Sequence, residues 1–135
     1  MAAAKTFKIA MSERCFRFKP DALMNHAPQK PGVYEFVTFT PQGEGVVLFV
    51  GLASPQTVFD ALEKHLKGEL APTKDDLFAS AKDVYFDYVT YADIESVDDL
   101  RDIASALIEK TKPRLNKEPF PATGRYGRVV LEEIS

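Results

Sequence analysis

The chain has no tryptophan, one cysteine and no long apolar run among its 135 residues. Cys15 alone cannot close an internal disulfide, so whatever holds the fold together is non-covalent, and a reducing compartment suits it. No stretch approaches the roughly 18–20 apolar residues that would cross a bilayer as a helix, and no signal-peptide pattern opens the chain. A cytoplasmic protein without membrane attachment is the expectation. Cys15 and the two histidines, His26 and His65, show no zinc-ligand spacing, so no structural metal is expected. An excess of positive charge is also missing. The net charge of −3 does not mark a nucleic-acid binder by itself.

What is present is an ordinary globular balance, 45% hydrophobic and 27% charged residues, at a length that suits one domain over residues 1–135. Charge is unevenly placed. Residues 83–102 hold seven acids (Asp83, Asp87, Asp93, Glu95, Asp98, Asp99 and Asp102) against Arg101. Residues 110–128 hold six bases (Lys110, Lys112, Arg114, Lys117, Arg125 and Arg128) against Glu118, enough for a phosphate-binding strip if they converge.

Patterning predicts the elements. Phe7, Ile9 and Met11 alternate with polar or small residues, and Phe16 and Phe18 do the same after a break at Ser12-Glu13, which reads as a hairpin. A helical turn is expected over Asp21 to His26, ahead of Pro28 and Pro31. Strands follow at Val33 to Phe39 and Val46 to Val50, joined through Pro41, Gly43 and Gly45. Ser54 as cap and Pro55 at the first position predict a helix carrying Val58, Phe59, Leu62, His65 and Leu66, stopped at Gly68. Asp83 to Tyr91 reads as a strand. A helix capped by Ser96 buries Leu100, Ile103, Leu107 and Ile108 and ends at Pro113. A last strand is expected around Gly127 to Leu131. The order gives an α+β fold, a small antiparallel β-sheet covered by helices, with an N-terminal hairpin and a C-terminal strand added.

Three short segments in this order carry a resemblance: Pro31-Gly32-Val33-Tyr34 on a strand, Phe49-Val50-Gly51 ending the next, and Lys112-Pro113-Arg114-Leu115-Asn116 closing a helix. Over about residues 28–117 the chain resembles the GIY-YIG endonuclease domain. That resemblance implies one-metal phosphodiester hydrolysis, with a tyrosine assisting the attacking water, an arginine on the phosphate and a glutamate holding magnesium or manganese. A guanidinium lowers the barrier where phosphate gains charge, and a hard cation requires an oxygen ligand. Tyr34 matches the tyrosine, Gly51 the glycine and Asn116 the terminal asparagine, while Phe49 keeps a ring without the hydroxyl.

Counting back from His65 puts Ala61 at the arginine position, and counting back from Leu107 puts Ala104 at the glutamate position. Other gaps would offer only Phe59 or Asp60 for the arginine. Alanine at both places is also what deliberate inactivation would leave. Lys64 and Arg101, one turn away from each hole, are the cations that could partly fill them.

The resemblance therefore implies a catalytically degenerate domain that binds a nucleic acid or a protein and needs no cofactor. Tyr34 and His65 would be vestiges, and Gly51, Lys64, Arg101, Lys112, Arg114, Asn116 and Lys117 would form the binding surface. The alternative is a divergent endonuclease whose metal-binding acid has moved to Asp60 or Asp102. Each retained residue also has a plain structural reading: Tyr34 as a sheet aromatic, His65 as a bonded core histidine, Gly51 as a conformational or close-packing glycine, Asn116 as a backbone bridge and Cys15 as a buried thiol. Edge pairing through the N-terminal hairpin would offer a route to a dimer.

Overall fold

A computed structural model describes residues 3–134. Ten elements follow in order: β1 (Ala4–Met11), β2 (Phe16–Arg17), α1 (Pro20–His26), β3 (Gly32–Phe39), β4 (Gly45–Ala53), α2 (Val58–Leu66), α3 (Lys74–Ser80), β5 (Tyr85–Ala92), α4 (Asp98–Thr111) and β6 (Arg128–Glu133). The fold is α+β, as the patterning predicts. The strands form one curled sheet in the order β4-β3-β5-β1-β6, with β2 also paired to β5.

Side chains alternate across a strand, and here both faces are covered. On one face Tyr34, Phe36, Leu48 and Phe86 pack against Leu23 of α1, Ala61 and Leu62 of α2 and Leu77 of α3. On the other, Phe7, Ile9, Val33 and Val50 meet Leu100, Ile103, Ala104 and Leu107 of α4. At roughly 1.5–3 kcal/mol for each large apolar side chain fully buried, these two layers supply the main driving force for folding.

Two expectations about the sheet are corrected. It is mixed, not antiparallel, because β6 runs parallel to β1, in the register Ala4↔Arg128 to Ile9↔Glu133. A tight hairpin would have forced antiparallel neighbours, whereas the long connection after α4 leaves the direction of β6 free. Nor do β1 and β2 form a hairpin. Both lie antiparallel along β5, β1 through Ile9↔Ala92 and β2 through Phe16↔Phe86. The Ser12 N–H bonds the Tyr88 carbonyl at 2.8 Å and the Ser12 hydroxyl accepts from the Tyr88 N–H at 3.3 Å, so the break is a jog along one neighbour. No residue between the two strands has the positive φ that a two-residue hairpin requires. β1 is paired on both sides, by β5 and β6, so it offers no free edge of its own for a dimer.

Helix starts moved for equally local reasons. α2 begins at Val58, capped by the Thr57 hydroxyl accepting from the Asp60 N–H at 3.0 Å. Its first N–H groups find the Lys30 and Pro28 carbonyls at 2.9 and 3.0 Å, which favours this start over one at Pro55. α4 has no side-chain cap from Ser96. Instead the Asp99 carboxylate reaches back to the Glu95 and Ser96 N–H groups at 2.8 and 3.3 Å. Helix α3, which the patterning did not anticipate, starts in a capping box in which Thr73 and Asp76 bond each other's backbone N–H.

Candidate functional site: a groove at the β4 edge

β4 is an outer strand of the sheet, and its free side is met by the chain leaving α4. The Leu115 N–H bonds the Leu48 carbonyl at 3.0 Å. The Asn116 side chain then does what a neighbouring strand would do: its amide donates to the Val50 carbonyl and its oxygen accepts from the Val50 N–H, both at 2.9 Å. Asn116 is thus a backbone bridge. Leu52, two residues on in regular register, points its N–H and carbonyl the same way, into a groove of about 880 Å³. Phe49, Leu70, Pro72, Leu115 and Phe120 give the groove apolar walls, and Tyr34 and His65 lie on its floor.

The floor is a closed hydrogen-bond relay. Tyr34 is 2% exposed and its hydroxyl sits 2.7 Å from His65 Nε2. His65 Nδ1 faces the Pro72 carbonyl at 2.9 Å and the Leu70 carbonyl at 3.2 Å. Carbonyls only accept, so Nδ1 carries the proton; the neutral ring then accepts from the Tyr34 hydroxyl at Nε2. Burial lowers the His65 pKa against the smaller opposing pull of the Pro72 and Leu70 carbonyls, and burial raises that of Tyr34. Both groups are held neutral. Gly51 makes this possible: it lies opposite Tyr34 in the register, and a Cβ there would fall inside the tyrosine ring. The reason for a glycine is close packing, not a positive φ.

Of the residues singled out from sequence, Tyr34, Gly51, His65, Asn116 and Lys117 border this groove. Arg114 stands beside its rim, where it donates to the Ser80 hydroxyl and carbonyl at 2.8 and 2.7 Å. The others lie elsewhere. Lys64 is exposed on α2, and Lys112 forms the left-handed cap of α4 at φ 48°. Arg101 stacks over Phe120 at 4.3 Å and donates to the Pro121 carbonyl at 2.9 Å. Ala61 and Ala104 are both buried, but in different layers: Ala61 in the Tyr34 layer and Ala104 against α4's side of the sheet.

A divalent cation does not fit this donor set. The Tyr34 hydroxyl is committed to His65, and Asp76 to its capping box. Asp102 is spent on Thr123 and on Arg125, whose guanidinium also binds Asp99, at 2.6 and 2.7 Å. Asp60 is exposed on the first turn of α2. Among the described residues no cluster of three or more His, Cys, Asp and Glu side chains could hold a metal ion.

Sequence reasoning missed the groove's wall from Leu70 to Ser80, for which the Thr73–Asp76 spacing was the available signal. It also missed a buried acid pair. Glu35, the one charged residue of β3, is 6% exposed and lies opposite Asp87 in the register. Burial first, then the Asp87 charge, pushes Glu35 up to about 9. A Glu35 that keeps its proton is a donor to the Asp87 side chain opposite it. Cys15 adds its thiol 3.7 Å from the other Asp87 oxygen, and burial with Asp87 beside it pushes that thiol up to about 12. The thiol is a poor nucleophile there.

No family profile, curated protein or solved structure matches the chain. No helix among the described residues is long and apolar enough to cross a membrane.

Proposed function

We propose that this chain is a binding module without nuclease activity, and that the groove along β4 receives an extended segment of another polypeptide. The observation that carries the proposal is the groove's composition. Apolar walls flank an edge strand whose Leu52 backbone still faces open space, which is the arrangement by which sheet edges take up peptides. Alternate peptide side chains would lie against Phe49, Leu70 and Leu115 while the backbone pairs with Leu52.

The charge distribution favours a polypeptide over a nucleic acid. Lys117 on the groove is offset by Asp76 and Glu118. The bases of residues 110–128 do not converge: Lys110 pairs with Glu133, Arg114 with Ser80, and Arg125 with Asp99 and Asp102. The neutral, mutually bonded Tyr34 and His65 argue against a hydrolytic floor. Within the GIY-YIG resemblance, this is a member that keeps the scaffold's tyrosine and glycine for packing and has lost the arginine and the metal-binding glutamate.

The test pairs two probes. A random-peptide phage library panned on the protein should select apolar, alternating sequences, and the Leu70→Glu variant should lose them. Single-stranded and branched DNA with magnesium or manganese should be left uncut. Metal-dependent cleavage abolished by Tyr34→Phe, or DNA binding that weakens steeply with salt, would overturn the reading in favour of the endonuclease or the nucleic-acid module.

A further inference from the structure

We propose that two copies of this chain associate through their β6 strands, paired antiparallel about a twofold axis at Val130. β6 is the other outer strand of the sheet, and among the described residues only β1 pairs with it. Its sequence is Arg128-Val129-Val130-Leu131-Glu132-Glu133. Outer strands that must stay unpaired carry a charge, a proline or a bulge in mid-strand. β6 has no proline and no bulge, its charges (Arg128, Glu132 and Glu133) stand at its two ends, and its three central residues are apolar and half-buried.

Symmetry selects the register. A twofold axis between antiparallel edge strands stands perpendicular to the sheet, so both copies keep α4 on the same side, and directly opposed residues share a face. Val129 and Leu131 pack on the α4 layer, which places Arg128, Val130 and Glu132 on the opposite face. With Val130 opposite its own copy, Val129 meets Leu131 and Arg128 meets Glu132, each pair occurring twice. The strand is therefore complementary to itself in both apolar contact and charge. Arg128 and Glu132 are exposed, and neither is in an ion pair among the described residues. Lys8 lies beside Glu132 in the β1 register but makes no ion pair with it, whereas Glu133, on the α4 side, is taken by Lys110 at 3.8 Å.

A cleft of about 620 Å³ runs beside β6, lined by Ser105, Ala106, Glu109 and Tyr126 together with Val129 and Leu131. It leaves room on the α4 side for residues of the second copy. A twofold contact uses the same strand on both copies, so it closes on itself as a dimer and does not propagate. A six-residue strand pair is a small interface, so the association should be weak and concentration-dependent.

Sedimentation equilibrium of the full chain over roughly a hundredfold range of concentration tests this, because the dimer fraction follows mass action. The mass should rise from monomer towards dimer. Arg128→Glu or Glu132→Arg alone should weaken association by about tenfold, since each sets like charges face to face. The double variant Arg128→Glu with Glu132→Arg exchanges the two charges and should restore it. Circular dichroism should find every variant folded. A wild type that stays monomeric overturns the proposal. So does a dimer that the single changes leave intact, and one that the double change fails to restore overturns the register. The groove at β4 plays no part in any of these outcomes.

Discussion

The two edges of this sheet are built in opposite ways. The β4 edge is occupied by the chain itself, through the Leu115 N–H and the two-point Asn116 amide bridge. Among the described residues the β6 edge carries no such cover, since only β1 pairs with it. A sheet edge is a row of polar groups that must be satisfied by something. Here one side is met within the chain at Leu48 and Val50, and Leu52 beyond them borders the groove. On the other side, β6 pairs with β1 alone among the described residues. Changes at the first edge should therefore cost folding stability, and changes at the second should cost only association.

The largest effect is expected from Gly51→Ala. The new Cβ would overlap the Tyr34 ring, and with Phe36 and His65 packed around that ring it has nowhere to go. Chemical denaturation should register a loss of about 3 kcal/mol or more, at the upper end of overpacking penalties. Asn116→Ala comes next. It strips both partners from the Val50 backbone, and about 2 kcal/mol should disappear from the unfolding free energy. A loss no greater than that of an ordinary surface alanine would mean the bridge contributes nothing, and the contrast between the edges would fail.

Glu35→Gln probes the sheet's centre, against which both edges can be gauged. A carboxyl raised from 4.5 to about 9 holds its proton in the folded state after the unfolded chain has released it. Unfolding between those values therefore sheds a proton, and stability must fall as pH rises across that window. Glutamine keeps a donor for Asp87 and does not titrate. Its stability should vary less with pH and overtake the wild type on the alkaline side, by about 1–2 kcal/mol on the scale of a satisfied buried donor. Melting curves from about pH 5 to 9 would reveal parallel profiles if Glu35 were an ordinary carboxylate.

Tyr34→Phe should cost about 1 kcal/mol by leaving His65 Nε2 without its donor, and should leave the fold and any groove binding in place. The smallest effect is at the open edge. Arg128→Glu should alter the stability of the monomer by less than about 0.5 kcal/mol, as expected for an exposed side chain. A thermal melt at low concentration checks this separately from the sedimentation result. A large loss there would mean that β6 is held by something within its own chain.

Much of the architecture was legible because it is local. Alternation of Phe7 and Ile9, and of Val84, Phe86 and Tyr88, marked strands. The Leu100–Ile103–Leu107 spacing marked α4, and Gly68, at φ 77°, marked the end of α2. Helix α3 escaped because it is seven residues long with one buried side chain, Leu77, too short for a periodic stripe. The groove was half legible: Tyr34, Gly51, His65 and Asn116 were picked out along the chain, but the wall at Leu70 to Ser80 was not. Ala61 and Ala104 had been paired by their roles in a resemblance, and the fold puts them in different layers.

By itself the sequence determined the faces: which side chains are apolar, at what period, and so which stretches become strand or helix. It also marked Gly51 as a glycine with a conformational or close-packing reason. Only the tertiary structure decided who pairs with whom. Whether β1 folds back on β2 or lies along β5, which way β6 runs, and which strands are left at the outside depend on closing long loops and burying two layers at once. A local pattern carries no information about those choices, because the same alternating strand can satisfy its hydrogen bonds with any neighbour that reaches it.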